Sequence, residues 1–358
     1  MKIIQIFSDT KNTHIYRYIS ELDYAINNNT EHELYTYLLN EDTEKYYKLN
    51  INQNTIDFIN TCDYLFIHSL PTKKNEIFTQ LLYNVKINII FFVHYNTVKE
   101  FYNNFNINYI KPIFNKCYKI LIYDNDKIYN EINNIINNTP NKIIRQPLIY
   151  NLHSSYYEEK ENQIAMISNR GLKTDYKLYI DIFKKYHIDF SNYIWYLYGI
   201  TKNIQTISVE DLYYDKNGNP SSITNLNTKI IDKDKINIYS QMSYNEYSDL
   251  LNKIMFVVNF DKLDYITYSM LDILAGKAIL IIDSNIAKKI KINSKQTLYD
   301  LNCAIYFDVN NENDFSIIMN KYLKSKNSYI SLCRKNQKII DQVFNSNKYL
   351  QDLFNKII

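Results

Sequence analysis

Short apolar runs alternate along this chain with stretches whose apolar residues recur at helical spacing. KIIQIF (2–7), CDYLFIHS (62–69), KINIIFFVH (86–94) and CYKILIYD (117–124) have the near-continuous apolar character of strands buried on both faces. Weaker strand patterns lie at 33–39 and 142–145, and helical spacing marks 13–27, 55–61, 74–83 and 98–105. Strands separated by helices predict right-handed crossovers and a parallel sheet covered on both sides. A ligand crevice then belongs at the strand carboxyl ends, where Asp9, His68, Ser69, His94 and Asp124 fall.

A second series repeats the plan without repeating the sequence. Strand patterns at NQIAMIS (162–168), IWYLYG (194–199), 235–240, KIMFVVNF (253–260) and CAIYFD (303–308) alternate with helical text at 174–187 and 244–252. The stretch DYITYSMLDILAGKAILII (264–282) reads as a helix carrying Asp272, a turn at Gly276 and a buried strand. Polar Pro147 to Asn162 is the predicted linker. The fold class is therefore α/β, with one Rossmann-like domain over 1–150 and another over 163–346. Helical text runs from Glu312 to the end, and its last part, 347–358, is predicted to pack back on the first domain.

Composition narrows this picture. With 358 residues and 46% hydrophobic content, two ordinary cores can be filled. Usage is biased to Ile, Asn, Lys and Tyr, with four glycines and four arginines, as in proteins of A+T-rich genomes. Drift therefore accounts for asparagine runs such as 27–29 and 133–138. A net charge of +3 makes no global demand for a polyanion. Cys62, Cys117, Cys303 and Cys333 form no CxxC pair and read as buried thiols in a reducing compartment. Met1 runs directly into a strand and no apolar run spans a bilayer, so a soluble cytoplasmic protein is expected.

Several enzyme classes lose their signature. Residues 5–15 contain no glycine, so the dinucleotide fingerprint is missing, and no Walker lysine motif, HExxH or GxSxG occurs. Arg170 and Lys173 remain, directly after the first strand of the second domain and beside the next helix N-terminus. Cations and helix dipole there favour a diphosphate, the alternative being a solvated surface pair. Asp272 has a similar pair of readings, an exposed helical acid or a carboxylate accepting both hydroxyls of a ribose.

Segments 264–283, CDYLFIHSLPT, KINIIFFVHYNTV, SNRGLKT, WYLYG and YSQMSYNEYSDLL together resemble, in order, the bacteriophage DNA glucosyltransferases. The likeness covers about half the chain. It implies the GT-B architecture, two Rossmann-like domains facing a cleft, and transfer of glucose from UDP-glucose to hydroxymethylcytosine in double-stranded DNA. Position by position it makes Ser168, Arg170 and Lys173 donor-phosphate ligands, sets Met242 against the uracil and gives Asp272 the ribose. Ser269 stands where some members have an arginine, and Thr267 where others have an acid.

The acceptor side departs from the pattern. His94 matches a family histidine, but Tyr95 replaces an aspartate thought to act in catalysis, and a phenol with a pKa near 10 is a poor base. His94, Asp9 or Asp124 would then act as base, or the departing phosphate would take the proton. The base would be flipped out of the duplex, with Lys73, Lys74, Lys99 and Lys111 as phosphate contacts. A monomer is expected, and a divalent cation is not required by the sequence. The rival expectations are a glycan or lipid acceptor, and a non-catalytic nucleotide- or nucleic-acid-binding protein of the same fold.

Overall fold

The computed structural model describes residues 1–7, 13–39, 45–69, 76–94, 101–102, 106–137, 139–152, 163–167, 194–198, 236–239, 244–259, 265–293, 295–308 and 312–358. The chain divides into two compact units, Met1–Leu152 with Ile292–Lys295 and Phe344–Ile358, and His153–Lys291 with Gln296–Val343.

In the first unit, β1 (Lys2–Phe7), β2 (Glu33–Leu38), β3 (Tyr47–Lys48), β4 (Tyr64–Ile67), β5 (Asn88–Val93), β6 (Lys119–Tyr123) and β7 (Ile143–Gln146) form a parallel sheet in the order β3-β2-β1-β4-β5-β6-β7. The order reverses between β1 and β4, the kind of switch point at which open α/β sheets bind ligands. One face of the sheet is an aliphatic core built from Ile4, Ile6, Leu65, Ile67, Phe91, Val93, Ile120 and Ile122. The β-branched and aromatic residues of these strands fit a pleated surface that is buried, which is why the apolar text locates them.

Asparagine is a structural residue at several positions of the chain, most of them outside the runs. Asn52, Asn106, Asn125 and Asn345 cap helices starting at Gln53, Ile107, Asp126 and Ser346, each accepting from backbone N–H groups of the first turn. Asn137, inside the 133–138 run, takes a left-handed conformation with φ 57°, as does Asn302 with φ 48°. These are positions that glycine usually fills, and a chain with four glycines uses the next most tolerant residue.

Other expectations change at the edges. The helices Ile107–Lys116 and Asp126–Ile135 were not predicted, the first because Pro112 lies inside it. Of the predicted helix at 98–105, the described residues 101 and 102 are helical. The predicted linker begins too early: Leu148, Ile149, Tyr150 and Asn151 are buried. The buried Glu21 carboxylate accepts from Asn151 N at 2.9 Å and Nδ2 at 2.6 Å, and Tyr150 bridges to Asn345, so this segment belongs to the first unit. The helical text after Glu312 is three helices, Glu312–Lys324, Lys326–Phe344 and Ser346–Ile357.

The second unit contains β8 (Gln163–Ile167), β9 (Ile194–Tyr198), β10 (Ile236–Tyr239), β11 (Phe256–Asn259), β12 (Ile279–Asp283) and β15 (Ile305–Phe307), paired in parallel in the order β10-β9-β8-β11-β12-β15. The short strands β13 (Lys291–Asn293) and β14 (Gln296–Thr297) pair with each other. The predicted helix 174–187 lies outside the described residues. The four cysteines are buried and form no disulfide, and burial pushes the Cys117 and Cys303 thiols up to about 12.

Candidate active site

Pairing register and side-chain alternation together place one polar residue from each of six neighbouring strands on the sheet face opposite the aliphatic core. Thr36 is paired with Gln5, and Gln5 with Phe66, so His68 lies two residues further along the same face. Extending the β5–β6 register by one residue sets His94 beside Tyr123, which pairs with Gln146. Thr36, Gln5, His68, His94, Tyr123 and Gln146 thus form an oblique polar row stepping toward the strand carboxyl ends. Gln5, His68, His94 and Gln146 are buried, and groups so placed need hydrogen-bond partners.

Most of them find those partners in one another. Gln5 Nε2 donates to Thr36 Oγ1 at 2.7 Å, and Gln5 Oε1 is 3.0 Å from His68 Nε2. His68 Nδ1 is 3.0 Å from His94 Nε2, and His94 Nδ1 is 3.0 Å from the Tyr123 hydroxyl, which lies 2.9 Å from His14 Nε2. Aromatic rings wall the row: Phe92 stacks on His68 at 4.3 Å, and Tyr18 meets His94 edge-on at 4.7 Å. Burial without a carboxylate beside them keeps the imidazoles neutral. His68 is pushed down to about 3, His14 to about 4, and His94 is held well below its ordinary value, its two histidine neighbours adding to the effect of burial.

Two helices close this face. The helix Thr13–Asn29 supplies His14, Tyr18 and Asp23, and the helix Ser346–Ile357 supplies Tyr349, whose hydroxyl pairs with that of Tyr18. Tyr18, His94, Tyr123, Gln146 and Tyr349 all line a small cavity of about 10 Å³. The last helix is fixed further by Tyr64 donating to the Ile357 carbonyl at 3.2 Å.

Both nitrogens of His94 are therefore engaged, and it would have to release Tyr123 or His68 before acting as a base. Asp124 is held by Arg145 at 3.2 Å, which also pairs with Asp126 at 2.6 Å. Lys111 is half-buried, with its ammonium 3.5 Å from Asn137 Oδ1. Asp9, Tyr95, Lys73, Lys74 and Lys99 lie outside the described residues, as do Ser168, Arg170, Lys173 and Met242.

In the second unit the helix expected around Asp272 is only five residues long, Tyr268–Asp272, and widens into a π-helical turn, Ile273–Lys277. Gly276 sits within that turn instead of following an α-helix. A widened turn of this kind is frequent at functional sites. Thr267 is the N-cap, accepting from Met270 N at 3.2 Å, which explains a hydroxyl at that position. Half-buried Ser269 accepts a bond from Tyr247 on its carbonyl at 3.2 Å. Asp272 is 2% exposed, so the reading as a solvated surface acid does not hold. Among the described residues the buried carboxylates are Glu21, which accepts from Arg17 and Asn151, and Asp272.

Gln5, Thr36, His14, Tyr18, Tyr123, Gln146 and Tyr349 were not picked out from sequence. The available signal was a single polar residue at matching parity near the end of each successive apolar run. Among the described residues there is no cluster suited to a metal ion and no helix long and apolar enough to cross a membrane.

By sequence, no protein-family model and no curated protein matches the chain. By structure it is similar to an alpha-glucosyltransferase in complex with UDP-glucose and DNA containing an abasic site, with TM-score 0.75, 15% identity, and coverage of 99% of this chain and 98% of that one. An alpha-glucosyltransferase in complex with UDP and a 13-mer DNA containing an HMU base gives TM-score 0.76 at 16% identity, covering 100% and 99%. HepE from Anabaena, in complex with UDP and glucose, gives TM-score 0.58 at 9% identity, covering 99% of each chain. End to end, the chain has the GT-B fold of these glycosyltransferases.

Proposed function

We propose that the chain is a glycosyltransferase that moves glucose from UDP-glucose to the hydroxymethyl group of a modified pyrimidine in DNA. The observation that carries this reading is the end-to-end likeness, at TM-scores of 0.75 and 0.76, to an enzyme held with UDP-glucose or UDP and with DNA. The second unit would bind the donor, with Ser168, Arg170 and Lys173 on the diphosphate, Met242 at the uracil and Asp272 on the ribose. Thr267 and Ser269 would shape the backbone beside it. Asp272 is a buried carboxylate, and a carboxylate has the acceptor capacity to take both hydroxyls of a ribose.

The first unit would hold the acceptor. In the transfer the acceptor oxygen bonds to the anomeric carbon, the carbon–phosphate oxygen bond breaks, and the acceptor proton passes to the departing phosphate. Engagement of both His94 nitrogens and of Asp124 supports a route that needs no strong protein base. A second reading keeps the sugar nucleotide and drops DNA, as the weaker likeness to HepE held with UDP and glucose allows, and the acceptor would then be a glycan or lipid.

The test is incubation with UDP-glucose labelled in the sugar, using hydroxymethylcytosine DNA, unmodified DNA and glycan or lipid acceptors in parallel. Label entering only the modified DNA is the expected result. UDP release only with glycans or lipids moves the acceptor to the second reading. Absence of turnover with any sugar nucleotide overturns both.

A further inference from the structure

The buried polar row has two ends, and one of them is ionic. Beyond Thr36 lies Asp23, whose Oδ1 is 3.3 Å from Thr36 Oγ1. Asp23 also receives Asn27 Nδ2 at 3.3 Å, the Tyr46 hydroxyl at 3.5 Å and the Lys45 ammonium at 3.5 Å. A carboxylate amid such donors accepts and does not donate.

That asymmetry propagates. If Thr36 spends its proton on Asp23, its oxygen must accept from the Gln5 amide nitrogen, so Gln5 turns its carbonyl to His68. His68 then carries its proton on Nε2, and a neutral His68 offers Nδ1 as an acceptor. His94 must donate from Nε2, leaving Nδ1 to accept from Tyr123, whose oxygen in turn accepts from His14 Nε2–H. The reverse polarity satisfies every link between Gln5 and His14 equally well. It fails only at Thr36, where it would turn the hydroxyl proton to Gln5 and leave two acceptors, Thr36 and Asp23, facing each other.

We infer that Asp23, acting through Thr36, Gln5 and His68, sets the tautomer of His94, holding it as the Nε2–H form with Nδ1 turned to the Tyr123 hydroxyl. Asp23, Thr36, Gln5 and His68 are positioning residues in this scheme. The chain orients and does not conduct: an amide passes polarity along, whereas passing a proton would require it to become an imidic acid. Among the described residues, the groups facing His94 are His68, His14, Tyr18, Phe92 and Tyr123, with Gln146 and Tyr349 in the same cavity, and none of these is a carboxylate that could select a tautomer locally. The inference concerns the free protein and stands whether or not the chain transfers glucose.

Nitrogen-15 NMR of the imidazole rings reads the tautomers directly. In the unaltered protein at neutral pH, His68 and His94 are expected as single Nε2–H forms. Thr36→Ser keeps the hydroxyl and should leave them so, whereas Thr36→Val keeps the shape, cuts the link and should give mixed tautomers at both rings. Asp23→Ala, at a half-buried position on the helix surface, should mix them in the same way. An Nδ1–H form of His94 in the unaltered protein overturns the inference without recourse to any variant. Spectra of Thr36→Val and Asp23→Ala that match the unaltered protein also overturn it.

Discussion

His68 is kept neutral by burial, and the consequence is a liability in acid. In the unfolded chain an imidazole takes up a proton below about pH 6.5. Folded His14 and His68 refuse it until about pH 4 and 3, and burial with two histidine neighbours likewise holds His94 well below its ordinary value. Between those limits the unfolded state binds more protons, so stability falls as pH falls, by up to about 1.4 kcal/mol per pH unit for each group. Replacing His68 by Gln should therefore flatten the fall of urea-unfolding free energy between pH 6.5 and 4.5. A slope that does not change would show that His68 is accessible to protons. At this level the sequence is only partly readable. His94 and Asp272 stand out as polar residues against apolar text, and the structure buries both. Gln5 and Thr36 do not stand out, because their importance arises from a cross-strand register that no local pattern encodes.

Secondary elements follow a similar division. Parallel strands announce themselves by runs of Ile, Phe and Val, whereas the helices Ile107–Lys116 and Asp126–Ile135 are obscured by Pro112 and by polar, asparagine-rich text. Their start signals were present as Asn106 and Asn125, at a residue type so common in this chain that its capping role is hard to read. The helix Ser346–Ile357 is strongly amphipathic, burying Tyr349, Leu350, Leu353, Phe354 and Ile357 on one stripe. Leu353 is fully buried, so Leu353→Ala should cost about 2–5 kcal/mol of unfolding free energy. Asn345→Ala, which removes the cap from the same helix, should cost about 1 kcal/mol. Urea denaturation of the two variants checks both values, and a Leu353→Ala loss below that of the cap variant would mean that the helix is weakly docked.

For the molecule as a whole, the two-unit α/β plan was legible because buried parallel strands and their crossovers leave a coarse rhythm that survives drift in composition. The donor site is a matter of binding, and it can be separated from transfer. By calorimetry, Arg170→Ala and Asp272→Ala should each weaken UDP binding about tenfold or more, the scale of one lost charge-assisted contact. Unchanged affinity in both would place the nucleotide elsewhere.

The C-terminal helix has a further consequence, for biosynthesis. Every strand of the first sheet leaves the ribosome before the second unit is made, yet Tyr349, which pairs with Tyr18 over the polar row, is translated only after that unit. Domains ordinarily fold as units, N-terminal first, during synthesis. Here the nascent first unit must wait with its histidine-bearing face uncovered until the entire second unit has emerged, so any transcript truncated before residue 346 yields a protein whose earliest-made half is also unfinished.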